Sequence, residues 1–354
     1  VPCHPERATP RAATPIPRLL PDLTAALSAV AARRDGRHPM YGEPPVTAET
    51  ADVAREIFAA DAVPAESMTI TSGALDGIDR VLRSYLRPGD SIALEDPGWP
   101  SEYALAATLG LKRIPLGLDG AGPLPGDLAA ALRSGARAVI LTNRAQNPTG
   151  AAFGSERAAR LRSVLSGYPN VLTVEDDYGF GFADAPFHSV RGATERWTVI
   201  RSVAKSHGPD LRLAMLAGDV VTVDRVRAQQ QSGPGWVSRV LQETFVELQR
   251  RGQVSPERVG RRYAERRGAL VSELARHGTT AHGRSGMNVW VPVTDEAGTV
   301  TRLLARGWAT TPGARFRMSS GPGIRVTVSA LTVDDMPPLA SDIAEAVRPA
   351  APNV

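Results

Sequence analysis

The 354-residue sequence has very little cysteine and very little lysine. The single cysteine, Cys3, forms no internal disulfide and cannot build a thiolate metal site. It sits in a Pro/Ala/Arg-rich start that is expected to be poorly ordered. Lysine occurs only at Lys112 and Lys205, and every other basic side chain is arginine or histidine. Chemistry that requires a side-chain amine therefore has two candidates. No apolar run approaches the roughly 20 residues of a membrane span, and no basic, apolar and small-residue leader opens the chain. A cytoplasmic protein without a membrane partner is expected. The six histidines lack the HExxH-like spacing of a metal site, and no Gly-x-Gly-x-x-Gly or Walker-type loop follows a strand pattern. Lys and Arg total 41 against 37 Asp and Glu, and both signs are scattered, so the net charge of +4 describes a solvated mixed surface. No nucleic-acid partner is expected.

A chain of this length holds one large unit or two interlocked ones. From about Thr47, helical and strand patterns alternate, as in a parallel sheet covered by helices. Met68 to Thr71, Ser91 to Leu94, Ala138 to Thr142, Val171 to Glu175, Trp197 to Arg201 and Leu213 to Ala217 read as strands. After a long helix around Glu257 to His277 the pattern changes, with strands at Met287 to Val293 and Ile324 to Val328 around a helix near Val300 to Arg306. The reading is an α/β fold: a large domain over 45–255, and a smaller α+β domain over 256–354 joined by residues 1–44.

In open α/β sheets, ligands sit beyond the carboxyl ends of the strands. Asn147, Asp176 with Tyr178, and Lys205 follow three such ends, so three polar constellations converge on one rim. A lysine used for carbonyl chemistry must be held where its amine can be neutral, by burial or nearby cations. Lys205 follows an apolar strand and precedes Arg212, whereas Lys112 reads as an exposed strand-edge residue. A pyridine cofactor needs a buried carboxylate at its ring nitrogen, and Asp176 is placed for that. Ser72-Gly73-Ala74 before a helix, with Ser202 and Arg212, forms a set suited to a phosphate. Trp99, held between prolines, is placed to lie against a ring. Singly, each of these also fits an ordinary loop, cap or surface role. Their order and spacing together make the case.

Taken together, Asn147-Pro148-Thr149-Gly150, Glu175-Asp176-Asp177-Tyr178 and Ser202-x-x-Lys205 followed by Pro209-x-x-Arg212 resemble the fold-type I enzymes dependent on pyridoxal 5′-phosphate (PLP). The similarity is to class I/II aminotransferases, above all the aminotransferase-like domain of MocR-type (GntR family) regulators, and it runs from about Leu19 to Leu331. It implies an aspartate aminotransferase-like fold with a mixed, mostly parallel sheet in the large domain. It further implies that Lys205 carries PLP as a Schiff base and shuttles a proton. Asp176 would pair with the ring nitrogen, Asn147 and Tyr178 with the phenolic oxygen, and Trp99 would stack on the ring. Gly73, Ala74, Ser202 and Arg212 would hold the phosphate, with Tyr41 reaching the phosphate of a neighbouring subunit in a homodimer. Arg325, with Asn147, would bind the substrate carboxylate, for which its planar fork is suited.

The MocR regulators carry an N-terminal DNA-binding domain, which this sequence is expected to lack. Pro15 to Pro21 replaces the family's usual substrate-side segment. The first expectation is transamination between an amino acid and a 2-keto acid. The alternatives are another PLP reaction (elimination, substitution, decarboxylation or oxidation) in a biosynthetic pathway, and, more distantly, a non-catalytic PLP- and amino-acid-sensing module.

Overall fold

Five strands lie side by side and parallel, and four of them, Ser91–Asp96, Ala136–Leu141, Leu172–Asp177 and Arg196–Ser202, are buried on both faces over most of their length, which is why much of their sequence reads as apolar runs rather than alternations. They belong to a computed structural model that describes residues 14–34, 36 and 38–348. Cys3 lies outside the described residues.

The chain enters through α1 (Leu23–Arg34) and α2 (Ala48–Ala59), then β1 (Met68–Thr71), α3 (Ala74–Tyr85), β2 (Ser91–Asp96), α4 (Pro100–Thr108) and β3 (Lys112–Asp119). There follow β4 (Gly122–Pro123), α5 (Pro125–Arg133), β5 (Ala136–Leu141), α6 (Ser155–Leu165), β6 (Leu172–Asp177), β7 (Arg196–Ser202) and β8 (Ala214–Gly218). These strands form one eight-stranded sheet in the order β1-β8-β7-β6-β5-β2-β3-β4. β1 and β8 run antiparallel at one edge, and the short β4 runs antiparallel at the other. Lys112 is exposed at the start of β3.

Helices cover both faces. α3, α4 and α7 (Val220–Gln231) enclose a core with Ile78, Leu82, Leu94, Val174 and Val226, while α5 and α6 enclose one with Leu128, Val139 and Leu161. α8 (Arg239–Arg250) packs against α2 and α1, where Arg33 and Arg34 pair with Glu247 and Glu243.

The 21-residue α9 (Pro256–Arg276) starts at Ser255, whose side chain accepts from the Arg258 N–H as an N-cap. It leads into β9 (Asn288–Pro292), α10 (Glu296–Ala305), β10 (Thr311–Pro312), β11 (Gly323–Thr327) and α11 (Met336–Ala346). These three strands form a separate antiparallel sheet, β10-β11-β9, whose core with α9 and α11 also takes in Ile16. Asp96, the last residue of β2, ties the connection before β11 to the large sheet. Its carboxylate accepts from the Met318, Ser319 and Ser320 N–H groups at 2.8, 2.7 and 2.9 Å.

Candidate active site

The carboxyl ends of β5, β6 and β7 open onto a cavity of about 570 Å³, closed on its far side by β10, β11 and the turn between them. Its wall includes Ala74, Trp99, Asn147, Asp176, Tyr178, Ser202, Lys205, Arg212 and Arg325, drawn from both sheets.

β6 shows how one short stretch separates three acids. Side chains alternate across a strand, so Glu175 and Asp177 share one face and Asp176 takes the other. Asp177, fully buried, meets the Arg144 guanidinium in two hydrogen bonds at 2.8 and 2.9 Å and the Arg201 Nε at 3.0 Å. Glu175 accepts from Ser189 Oγ and from the Val190 N–H. Asp176 is left to face the cavity with Oδ1 buried and without a hydrogen-bond partner. Burial first, then the charges of Asp177 and Glu95, push its carboxyl up to about 8.

Lys205 stands just beyond β7, partly buried. Burial, with the charge of Arg325, holds its amine below the ordinary lysine range, the condition for a nucleophilic amine. It is the only lysine in the cavity wall.

The start of α3, with Gly73 as its N-cap, borders the same cavity. The first-turn N–H groups of Ala74 and Leu75 point out of the helix without a carbonyl to reach, and with the helix dipole they favour an anion. Arg212 lies over this turn: a Cβ on Gly73 would stand 2.5 Å from its Nη2, and Nη2 donates to the Ser72 carbonyl at 3.0 Å. Arg212 itself adopts the left-handed conformation with φ of 44°, which is uncommon outside glycine and asparagine. Ala145, beside Asn147, does the same with φ of 57°. Strained backbone of this kind gathers at ligand sites. The Gly73 N–H is spent on the Thr71 carbonyl at 2.8 Å, so this glycine allows close approach, and the first-turn N–H groups open to an anion are those of its two successors.

Arg325, on β11, is buried among Phe316, Thr311 and Asn147. Its guanidinium lies 4.8 Å from the Phe316 ring centroid, Nη2 is 3.3 Å from Thr311 Oγ1, and Nη1 donates to Asn147 Oδ1 at 3.0 Å. Burial pulls its pKa down to about 10, and the nearby charge of Arg315 adds to this. The Tyr178 hydroxyl donates to the Ala145 carbonyl.

Two expected site residues are not in this wall: Gly73, against which Arg212 lies, and Tyr41. Tyr41 is 90% exposed, packs edge-on against Trp236, and lines a second hollow bounded by Pro44, Arg227 and Gln230. Thr311 and Arg315, at β10 and the turn after it, line the cavity and carried no sequence signal. Among the described residues no cluster of His, Cys, Asp and Glu is arranged to hold a metal, and no helix is long and apolar enough to cross a membrane.

The vitamin B6 salvage pathway transcriptional repressor PtsJ of Salmonella typhimurium is 38% identical over 344 residues, covering 94% of this chain and 78% of that protein. The HTH-type transcriptional regulator TauR of Rhodobacter capsulatus is 29% identical, over 72% of this chain and 54% of its own length. In structure the chain is similar to LysN, an α-aminoadipate aminotransferase of Thermus thermophilus solved with N-(5′-phosphopyridoxyl)-L-leucine. The TM-score is 0.80 at 21% identity, with 95% of this chain and 90% of that chain covered. The fold is thus that of the fold-type I, aspartate aminotransferase-like proteins. The family described as aminotransferase class I and II matches residues 23–343, and the chain belongs to that family.

Proposed function

We propose that the chain is a PLP-dependent aminotransferase that moves an amino group between an amino acid and a 2-keto acid. The observation that carries the reading is the joint placement of Lys205, Asp176, Arg212 and Arg325 around one cavity. The residues fit the cofactor: the orphaned Asp176 Oδ1 suits a pyridinium N–H, and the α3 start under Arg212 suits a phosphate. Trp99 offers an indole to one face of the ring, and Ser202 a hydroxyl beside the phosphate cradle. Asn147 and Tyr178 line the side where a phenolic oxygen would lie.

When bound, PLP supplies an electron sink for the charge that develops at the substrate Cα. The chain's own groups do the rest. Arg325 grips the α-carboxylate and so fixes which Cα bond faces the ring, while Lys205 Nζ, its proton affinity lowered by burial, takes and returns the Cα proton. Asp176 keeps a negative charge beside the ring nitrogen, where it costs least when paired. A homodimer in which Tyr41 reaches the neighbouring phosphate agrees with its exposure at the rim of the second hollow.

The test is to load the purified chain with PLP, add single amino acids, and identify keto acid and pyridoxamine phosphate by mass spectrometry. Keto acid in amounts matching the protein supports transamination. Ammonia, carbon dioxide or an olefinic product would assign a different PLP reaction to the same residues.

The similarity to PtsJ favours one further reading: an effector module that binds PLP or an amine and reports its presence without turnover. Binding of both ligands with no product after many hours would support it against the enzyme.

A further inference from the structure

Asn288 opens β9 and is fully buried, although asparagine is depleted in strands and a buried amide is costly unless its polar atoms are bonded. Side chains alternate across the strand pair, so Asn288 and Trp290 on β9 share one face with Thr327 and Arg325, their partners on β11. The other face, with Val289, Val291, Ile324 and Val326, belongs to the apolar core of the small sheet. The polar face meets the loop after β5. A Cβ on Gly150 would stand 2.7 Å from the Asn288 carbonyl oxygen, and the Arg284 and Ser285 N–H groups donate to the Gly150 carbonyl at 3.0 and 2.8 Å. Asn147, in the same loop, is thus held against β9.

The donors and acceptors fix which way each amide points. A guanidinium has no acceptor, so the Asn147 atom 3.0 Å from Arg325 Nη1 is its oxygen. Asn288 Nδ2 approaches the same oxygen at 3.5 Å, the long end of the hydrogen-bonding range, and Asn288 Oδ1 accepts from Thr327 Oγ1 at 2.9 Å. With both donors on Oδ1, the Asn147 amide has its NH2 arm left for the cavity that it lines. Tyr178, the other residue on that side, spends its hydroxyl proton on the Ala145 carbonyl.

We propose that Asn288 is a positioning residue for this site: it holds Asn147 Oδ1 from the small sheet and so keeps the Asn147 NH2 group turned to the cavity, as a donor to an anionic oxygen of the ligand. The inference rests on the reading that PLP occupies the cavity, in which case that oxygen is the phenolic one. Asn288 is not in the cavity wall, and it acts through Asn147. A donor to an oxygen favours its deprotonated form, so losing the donor raises the pH at which lysine-bound PLP changes its visible absorbance. The charged groups facing the cavity, Asp176 on β6, Lys205 beyond β7, Arg212, Arg325 on β11 and Arg315 in the turn before it, are the same in every variant below.

The test uses the full chain and its Asn288→Leu, Asn288→Ala and Asn147→Ala variants, with two readouts. The first is the pH titration of the visible absorbance of the PLP-treated proteins. Its midpoint should move up by about half a unit in Asn147→Ala, and in the same direction by about half as much or more in both Asn288 variants. Leucine fills the space of the amide and alanine does not, so a midpoint that moves in only one of them marks a packing effect and overturns the proposal. Unmoved midpoints in both, beside a shift in Asn147→Ala, overturn it as well. If the wild type forms no band, or Asn147→Ala leaves the midpoint in place, the reading of PLP against Asn147 fails instead.

The second readout needs no cofactor. It is the unfolding equilibrium constant, from denaturant titration, of the wild type, Asn288→Leu, Asn147→Ala and the double variant, with Asn288→Ala used where Asn288→Leu does not fold. The bond predicts that the Asn288 substitution changes this constant about threefold less in the Asn147→Ala background than in the wild type. Additive effects of the two substitutions would overturn the proposal, whatever the cofactor does.

Discussion

Arg325 Nη1 donates to Asn147 Oδ1 at 3.0 Å, joining β11 of the small sheet to the loop after β5 of the large one. The bond fixes the guanidinium plane in the cavity before any ligand arrives, so little ordering cost is left for binding a carboxylate. Replacing Arg325 by Lys keeps the charge but loses the planar fork and the bond to Asn147. Arg325→Lys should raise the amino-acid concentration for half-maximal conversion of bound PLP by about tenfold or more, with PLP affinity little changed, as read by stopped-flow absorbance.

Gly73 is the second sensitive point. Its φ of 94° and the 2.5 Å approach of Arg212 Nη2 to a Cβ built there leave no place for a side chain. Gly73→Ala should displace Arg212 and weaken PLP binding by about tenfold or more by fluorescence titration. Gly120→Ala, at a position with nothing within 4 Å of the added carbon, serves as the control and should bind normally.

Buried carboxyls set the pH dependence of the cofactor-free protein. Asp176 is raised to about 8 and Glu95 to about 7, by burial first in each case. An acid whose pKa is higher folded than unfolded favours folding while protonated, so its contribution is full below the unfolded value and fades as pH climbs through the folded one. The melting temperature should therefore fall between about pH 4.5 and 8 from these groups. Asp176→Asn should flatten part of that fall in differential scanning calorimetry. PLP, by giving Asp176 a cationic partner, should flatten it in the wild type.

The Asp177 network is predicted to matter for stability rather than chemistry. Arg201 is fully buried, pairs with Asp177 and Asp61, and lies 4.9 Å from the ring centroids of both Phe58 and Phe187. Arg201→Ala leaves the buried Asp177 with Arg144 as its remaining cationic partner and should cost about 3 kcal/mol, the low end for a broken buried pair, by denaturant unfolding. The PLP affinity of the folded fraction should change far less.

The large sheet and most of the site were legible in the sequence for one reason. Fully buried parallel strands appear as apolar runs, and the polar residues that follow within a few positions mark the rim where Asn147, Asp176 and Lys205 sit. Arg325 was legible through family likeness alone, since a buried arginine inside Ile324–Val328 has the same letters as an exposed one. Glu102 looked like the acidic residue common in a helix's first turn, and only its burial separates it from an exposed one. Arg315 belongs to a short turn whose placement depends on Asp96 holding residues 318–320 more than two hundred positions away in sequence. No local pattern encodes that contact. The part given to Gly73 also needed the structure, which shows its N–H bound to Thr71 and its missing side chain as the space for Arg212.

The measurement that bears most directly on the central claim is the visible absorbance of the PLP-treated protein, wild type against Lys205→Ala, before and after adding a panel of amino acids. A band of lysine-bound PLP that forms in the wild type alone, and is bleached by at least one amino acid with release of its keto acid, is the predicted result. The same band in Lys205→Ala, or none in the wild type, would contradict the assignment of Lys205 and the mechanism built on it.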